Sequence, residues 1–173
     1  IVVREAHDAG CNDVLIITAI GKSSIKEHLA KQQAGGHIPI GARLHYTDQH
    51  SPKGLGAAVL CAKNFVGMEN YAVLLGDDFY SNNPVIDLLT AYEEIKSDPK
   101  FGAILTVQKL SKQILSRYGV VKVKSEGKIM QVEDLIEKPE VPPSDFAITG
   151  RYILSSKVFS HLCETAPDKN GEV

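Results

Sequence analysis

What most constrains this chain is an alternation. Short, β-rich apolar runs recur between stretches with helical spacing, beginning with "CNDVLIITA", where Val14 to Ile17 are continuous and apolar. A run of that kind, with no polar alternation, suits a strand covered on both faces. Before it, "IVVREAHDAG" carries Val2, Val3, Ala6 and Ala9 as one apolar stripe, and Gly10 suits a helix C-terminal cap. After it, Ser24 and Glu27 have capping-box spacing and predict a helix from Ser24 carrying Ile25, His28 and Leu29. "KQQAGGHIPIG" reads as a Gly-rich loop, "ARLHYTD" as a short strand, "SPKGLG" as a turn and "LGAAVLCAKNFV" as a helix. "YAVLLG" is another buried strand. Asn83 as N-cap and Pro84 at N1 open a helix through Lys96, and "FGAILTVQK" is a further strand. Strand and helix in turn predict an α/β fold with a mainly parallel, doubly wound central sheet. From Tyr118 the texture changes. "YGVVKVKSEGKIMQVEDLIEKP" predicts two or three strands with a Glu126–Gly127 turn, a small antiparallel region. "FAITGRYILS" predicts a strand and "SSKVFSHLCET" a final helix.

Composition narrows the function classes. The 173 residues are one domain's worth of chain, enough for a sizeable core. A net charge of −2 argues against a nucleic-acid or anionic-membrane binder, which is usually basic. No apolar run approaches the roughly 18 residues of a membrane span. Cys11, Cys61 and Cys163 are odd in number and fit no zinc or disulfide spacing, so they read as reduced thiols in a cytoplasmic protein. The six histidines show no H-x-x-x-H pattern, and the serines lack a nucleophile-elbow context, so nothing points to covalent catalysis. The chain opens inside a helical pattern without an initiator Met and stops at "DKNGEV", which leads to the expectation of a piece of a longer protein.

Three segments could carry chemistry. In "AVLLGDDFYSNN" an apolar run ends in Gly76 and two acids, Asp77 and Asp78. Ligands of open α/β sheets sit beyond the carboxyl ends of strands, and Mg²⁺ takes carboxylate and phosphate oxygens there. In "DQHSPKGLGAAV", Gly54 and Gly56 lie at a loop-to-helix junction, where free N–H groups favour anions or carbonyl acceptors. Gln49, just upstream, both donates and accepts and so could read a base edge. In "EDLIEKP", Glu137 can accept from sugar hydroxyls and Lys138 can hold a phosphate as a point charge. As neighbours on a strand these two would point to opposite faces. Taken singly, each segment reads more simply as a polar turn, a plain helix start or a charged strand end.

Together the segments say more. "KGLGAAVLCA", "VLLGDD", "RYGVV", "IEKP" and "FAITGRYILSS" occur in that order, and the chain resembles the sugar-1-phosphate nucleotidyltransferases over essentially its whole length. The resemblance is strongest to the bacterial and archaeal uridylyltransferases that act on UTP and glucose 1-phosphate. It implies a Rossmann-like, three-layer single domain over residues 1–173 and a Mg²⁺-dependent reaction giving UDP-glucose and pyrophosphate. It also implies a possible homo-oligomer. Position by position, it gives Asp77 the metal, Gln49 and Gly54 the base, Gly119, Glu137 and Gly150 the sugar, and Lys138 the sugar-side phosphate. Lys138 and Asp77 are then the catalytic pair. Related thymidylyltransferases share Gly76 where uridylyltransferases commonly have Pro, so dTTP or another sugar stays open. Asp78 replaces a residue that is often apolar or Asn. The resemblance further implies a G-x-G-T-R…P-K phosphate loop before Ile1 and a second metal-binding Asp beyond Val173. The 173 residues by themselves are then expected to be inactive, at most a nucleotide-sugar binding module.

Overall fold

The computed structural model describes residues 1–51, 53–124, 127–168 and 171–173. Helix α1 (Val2–Asp8) ends as its sequence predicts. Gly10 takes φ +90°, its N–H donates to His7 O at 2.8 Å, and Cys11 N–H donates to Ala6 O at 2.9 Å. This paired closure needs a left-handed residue at its centre, the conformation glycine adopts without a Cβ penalty. Strand β1 (Asp13–Ala19) pairs in parallel with β2 (Arg43–Gln49), and α2 (Ser23–Ala34) connects them. Both faces of β1 are covered. Val14 and Ile16 pack with Val3, Ile38 and Ala42, while Leu15 and Ile17 pack with Val59, Ala62 and Phe159. The capping box does not form: α2 starts at Ser23 with Lys22 as its N-cap and no side-chain cap. Ser24 therefore sits inside the first turn, and the helix runs on through Lys31–Ala34, which the sequence assigns to a loop.

The helix predicted after the "SPKGLG" turn is two pieces, α3 (Gly54–Leu60) and α4 (Lys63–Val66). Strand β3 (Tyr71–Leu74) follows, then α5 (Pro84–Ile95), whose start is capped by Asn83 Oδ1 accepting from Val85 N–H at 3.1 Å. Next come β4 (Ala103–Lys109), a short α6 (Lys112–Leu115), β5 (Gly119–Val123), β6 (Val132–Glu137), β7 (Phe146–Leu154) and α7 (Val158–Glu164). The predicted Glu126–Gly127 turn lies at the edge of the described residues, since Glu126 is outside them.

The mainly parallel sheet is not what forms. Among the described residues only β1 and β2 pair in parallel, and they stand as a sheet of two. The larger, five-stranded sheet is antiparallel and built on β7. Strand β7 pairs with β4 over Phe146–Leu154, with β3 over Arg151–Leu154 and with β5 at Ala147. The crossover β3–α5–β4 does leave its two strands parallel to each other. The place between them is taken by a strand from later in the chain that runs the opposite way, and an apolar run records burial but not direction. Strand β6 completes the sheet by pairing antiparallel with β5, so the small antiparallel region is continuous with the main sheet.

Two features of this arrangement set up the site. Between Leu105 and Thr106 the β4–β7 register jumps from Tyr152 to Thr149, which leaves Gly150 and Arg151 as a bulge in β7. Bulges bend a strand and re-aim its side chains. The second feature is a cleft of about 1230 Å³ between the two sheets, lined by Asp13–Thr18 of β1 and Tyr71–Leu74 of β3 and reaching Leu55, Gly76 and Phe79.

Candidate functional site

Strand β3 is extended by one bond, Leu75 N–H to Gly150 O at 2.9 Å, before the chain turns through Gly76, Asp77 and Asp78. The two acids then part company. Asp77 is exposed, and among the described residues its carboxylate has neither a hydrogen bond nor an ion pair. Asp78 turns back, and its Oδ2 accepts from Gly150 N–H at 2.7 Å. Gly150 thus offers both its backbone groups to the end of β3, its C=O to Leu75 N–H and its N–H to Asp78.

Beneath the turn lies Arg151, with no exposed surface. Its five N–H donors are all used: Nε to Glu5 Oε1 at 2.9 Å, Nη2 to Glu5 Oε2 at 2.8 Å and to Asp78 O at 3.0 Å, and Nη1 to Leu75 O at 2.9 Å and to Gly150 O at 3.0 Å. The Tyr80 ring stacks on the guanidinium with its centroid at 4.8 Å. Sequence reasoning gave neither Arg151 nor Glu5 a role. The available signal was a charge inside each of two buried patterns, "ITGRYIL" and "VVREAH". A buried charge needs a partner.

Gly119 opens β5 directly opposite Glu137, the last residue of β6. A Cβ on Gly119 would sit 3.0 Å from Glu137 Oε2 and 3.0 Å from Ile148 Cδ1. Past the strand end Lys138 takes φ +46°, held by its N–H donating to Tyr118 O at 3.0 Å. This left-handed turn corrects the expectation that Glu137 and Lys138 diverge: Lys138 Nζ comes round to 3.2 Å from Glu137 Oε1. Both side chains are about two-thirds exposed, so the pair itself contributes little to stability. Tyr152 connects this cluster with the turn after β3. Burial first, and then the charges of Asp78, Tyr80 and Glu137, raise the pKa of its hydroxyl.

The third group lies at the end of β2. Gln49 Nε2 donates to Gly54 O at 3.4 Å, and Gly54 has φ +88°. The glycines here are packed against the chain's own last residues. Val173 O accepts from Gly56 N–H at 2.7 Å and Val173 N–H donates to Lys53 O at 2.8 Å. A Cβ on Gly54 would meet Val173 O at 2.9 Å, and one on Gly56 would meet it at 2.6 Å. The Gly56 N–H is therefore not one of the free donors expected at this junction. Gly150 is likewise a packing glycine, since a Cβ there would lie 2.2 Å from Asp78 Oδ2 and 2.7 Å from Leu75 Cβ. Leu55, beside Gly54, and Gly76, beside Asp77, both line the cleft between the sheets.

No group of three or more metal-ligating side chains occurs among the described residues. One unpartnered, exposed carboxylate, Asp77, still fits Mg²⁺, which binds through one or two carboxylates and takes its remaining ligands from phosphates and water. No helix among the described residues is long and apolar enough to cross a membrane.

Comparison with known proteins identifies relatives of this chain. Residues 1–172 match the family described as nucleotidyl transferase. The UTP–glucose-1-phosphate uridylyltransferase YngB of Bacillus subtilis is 37% identical over 182 residues, covering 93% of this chain and 60% of its own. A second Bacillus subtilis UTP–glucose-1-phosphate uridylyltransferase is 34% identical, covering 99% of this chain and 64% of its own. This chain thus spans somewhat under two-thirds of the length of these relatives. A crystal structure of UDP-glucose pyrophosphorylase complexed with UDP-glucose superposes with a TM-score of 0.86 at 30% identity, covering 99% of this chain and 69% of that one. A match over almost every residue makes this chain a member of the nucleotidyl transferase family.

Proposed function

We propose that the whole protein transfers a uridylyl group from UTP to glucose 1-phosphate, giving UDP-glucose and pyrophosphate. The observation that carries this most is the Gly119–Glu137–Lys138 cluster. A carboxylate and an ammonium stand together beside a glycine whose missing side chain makes room for Glu137 against Ile148 of β7. Lys138 holds a backbone conformation that costs about 1–2 kcal/mol in a non-glycine residue, the kind of strain that gathers at functional sites. In this reading Glu137 accepts from the sugar hydroxyls and Gly119 keeps side-chain bulk from between the ring and the backbone, while Gly150 shapes the sugar pocket through its packing against Asp78 and Leu75. Lys138 neutralises the phosphate of the sugar. Gln49 and Gly54 hold the uracil, and Asp77 holds Mg²⁺.

The reaction is an in-line displacement. An oxygen of the sugar phosphate forms a bond to the α-phosphorus, and the bond from that phosphorus to the bridging oxygen of the β-phosphate breaks. Pyrophosphate leaves with the electron pair. Both reactants are polyanions, so the protein's work is positioning and charge neutralisation. Bound Mg²⁺ supplies further neutralisation at the phosphates. Lys138 reduces the repulsion between attacker and target, and Glu137 fixes the orientation of the sugar behind it.

Three free cysteines fit a reducing, cytoplasmic setting. The relatives extend beyond the matched region, and the 173 residues alone are proposed to have no turnover. The test is pyrophosphate release by the whole protein with UTP, glucose 1-phosphate and Mg²⁺. Lys138→Ala is expected to lower kcat/KM by at least about 100-fold, the loss of roughly 3 kcal/mol of charge-assisted contact. An unchanged value would overturn the assignment of Lys138. Preference for dTTP over UTP in the same assay would favour the thymidylyltransferase reading that Gly76 leaves open.

A further inference from the structure

The buried Arg151–Glu5 pair is not needed by any step above, yet it is placed with respect to Asp77 in a specific way. Arg151 Nη1 holds the carbonyl of Leu75, two residues before Asp77, and Nη2 holds the carbonyl of Asp78, one residue after it. The Asp78 carboxylate adds a third tie, to Gly150 N–H at 2.7 Å. Glu5 fixes the guanidinium from the far side with two bonds, and helix α1 carries Glu5. Asp77 itself has no bond of its own among the described residues, so what orients it is the backbone on either side.

We propose that Arg151, Glu5 and Asp78 are positioning residues for Asp77: they clamp the Leu75–Asp78 turn so that the free carboxylate is presented to a divalent cation. This rests on the reading of Asp77 as the metal-holding residue. The alternative role for the same groups is to keep the core closed, with no bearing on Asp77. The arrangement favours clamping, because these three bonds and that from Leu75 N–H to Gly150 O converge on a four-residue turn, and the one polar side chain they leave untouched is the exposed acid. A guanidinium suits the task, since its planar fork satisfies Glu5 on one edge and backbone carbonyls on the other, which a lysine cannot do.

The experiment uses the whole protein with UTP and reads Mn²⁺ binding directly, from loss of the free-ion EPR signal, together with the Mg²⁺ concentration for half-maximal pyrophosphate release. Asp78→Ala removes only the tie to Gly150. Its Mn²⁺ Kd is expected to rise about tenfold, the equivalent of one hydrogen bond's net contribution. Asp78→Asn keeps an acceptor for Gly150 N–H, and its Kd is expected to return to within about threefold of wild type. Arg151→Lys is expected to raise the half-saturating Mg²⁺ by more than Asp78→Ala does, with KM for glucose 1-phosphate unchanged. If Arg151→Lys does not fold, the Asp78 pair decides the matter alone. Folded Asp78→Ala protein with wild-type Mn²⁺ affinity would overturn the proposal, as would equal weakening in Asp78→Ala and Asp78→Asn. A distinct result sinks the reading beneath it: wild-type and Asp77→Ala proteins that bind Mn²⁺–UTP equally well.

Discussion

At position 150 a side chain has nowhere to go. A Cβ would lie 2.2 Å from Asp78 Oδ2 and 2.7 Å from Leu75 Cβ, so the two strands could not keep their approach. Gly76, close by in the same turn, is the opposite case: a Cβ there meets nothing within 4 Å. Gly150→Ala is therefore expected to destabilise the protein by about 2 kcal/mol, as overpacking of a closed site does, whereas Gly76→Ala changes stability by less than about 0.5 kcal/mol. Urea unfolding midpoints of the two variants check this. Sequence alone marks both as glycines next to candidate chemistry and cannot tell them apart, because the difference lies in residues more than seventy positions away. Glu137 and Lys138 teach the same lesson. Their motif was legible, but their side-by-side geometry depends on one positive φ after the strand, which alternation does not encode.

At the scale of elements, local chemistry was a good guide where the signal was a cap. Gly10 and Asn83–Pro84 bound their helices as their residue types require. Ser24 and Glu27 show the limit, since capping-box spacing occurs within a helix as readily as at its start. The β1–β2 pair carries a charge device of its own. Arg43 Nε donates to Asp13 Oδ1 at 2.7 Å across the first rung of the pair, and Arg43 Nη2 bonds the other carboxylate oxygen. The Arg43 hydrogen bonds, and to a lesser degree His45, bring the Asp13 pKa from 3.8 down to about 2. A carboxylate whose folded pKa is depressed stabilises the fold above its unfolded value. That stabilisation is lost as pH falls through the folded one. The β1–β2 end is thus expected to loosen between about pH 4 and pH 2, and Asp13→Asn to remove that part of the acid dependence. Unfolding midpoints measured across this window in both proteins provide the check. The effect is small in absolute terms because both side chains are half-exposed or more.

At the scale of the whole molecule, an apolar cleft of about 1230 Å³ runs between β1 and β3, bordered by consecutive residues of both strands. Val14, Leu15, Ile16 and Ile17 on one side and Ala72, Val73 and Leu74 on the other form its walls. Apolar surface of that extent, left open, takes up an apolar probe. The 173-residue chain is expected to enhance ANS fluorescence in its native baseline, before any unfolding transition. A native baseline as dark as that of a protein with a closed core would contradict the cleft.

The sequence by itself determined the kinds of element and most of their limits, the cover on both faces of β1, and the family. All of these follow from short-range patterning or from ordered motifs. Only the tertiary structure decided that the larger sheet is antiparallel. Strand β7 enters between β3 and β4 from the opposite direction, and a buried run looks the same whichever way it runs. Tertiary structure also separated the two acids that end β3. Asp78 is tied to Gly150 and Asp77 is left free, on a turn held by an arginine whose ionic partner lies 146 residues away in the chain. Hydrogen bonds between such distant residues depend on how the elements are assembled, and no local pattern carries that information.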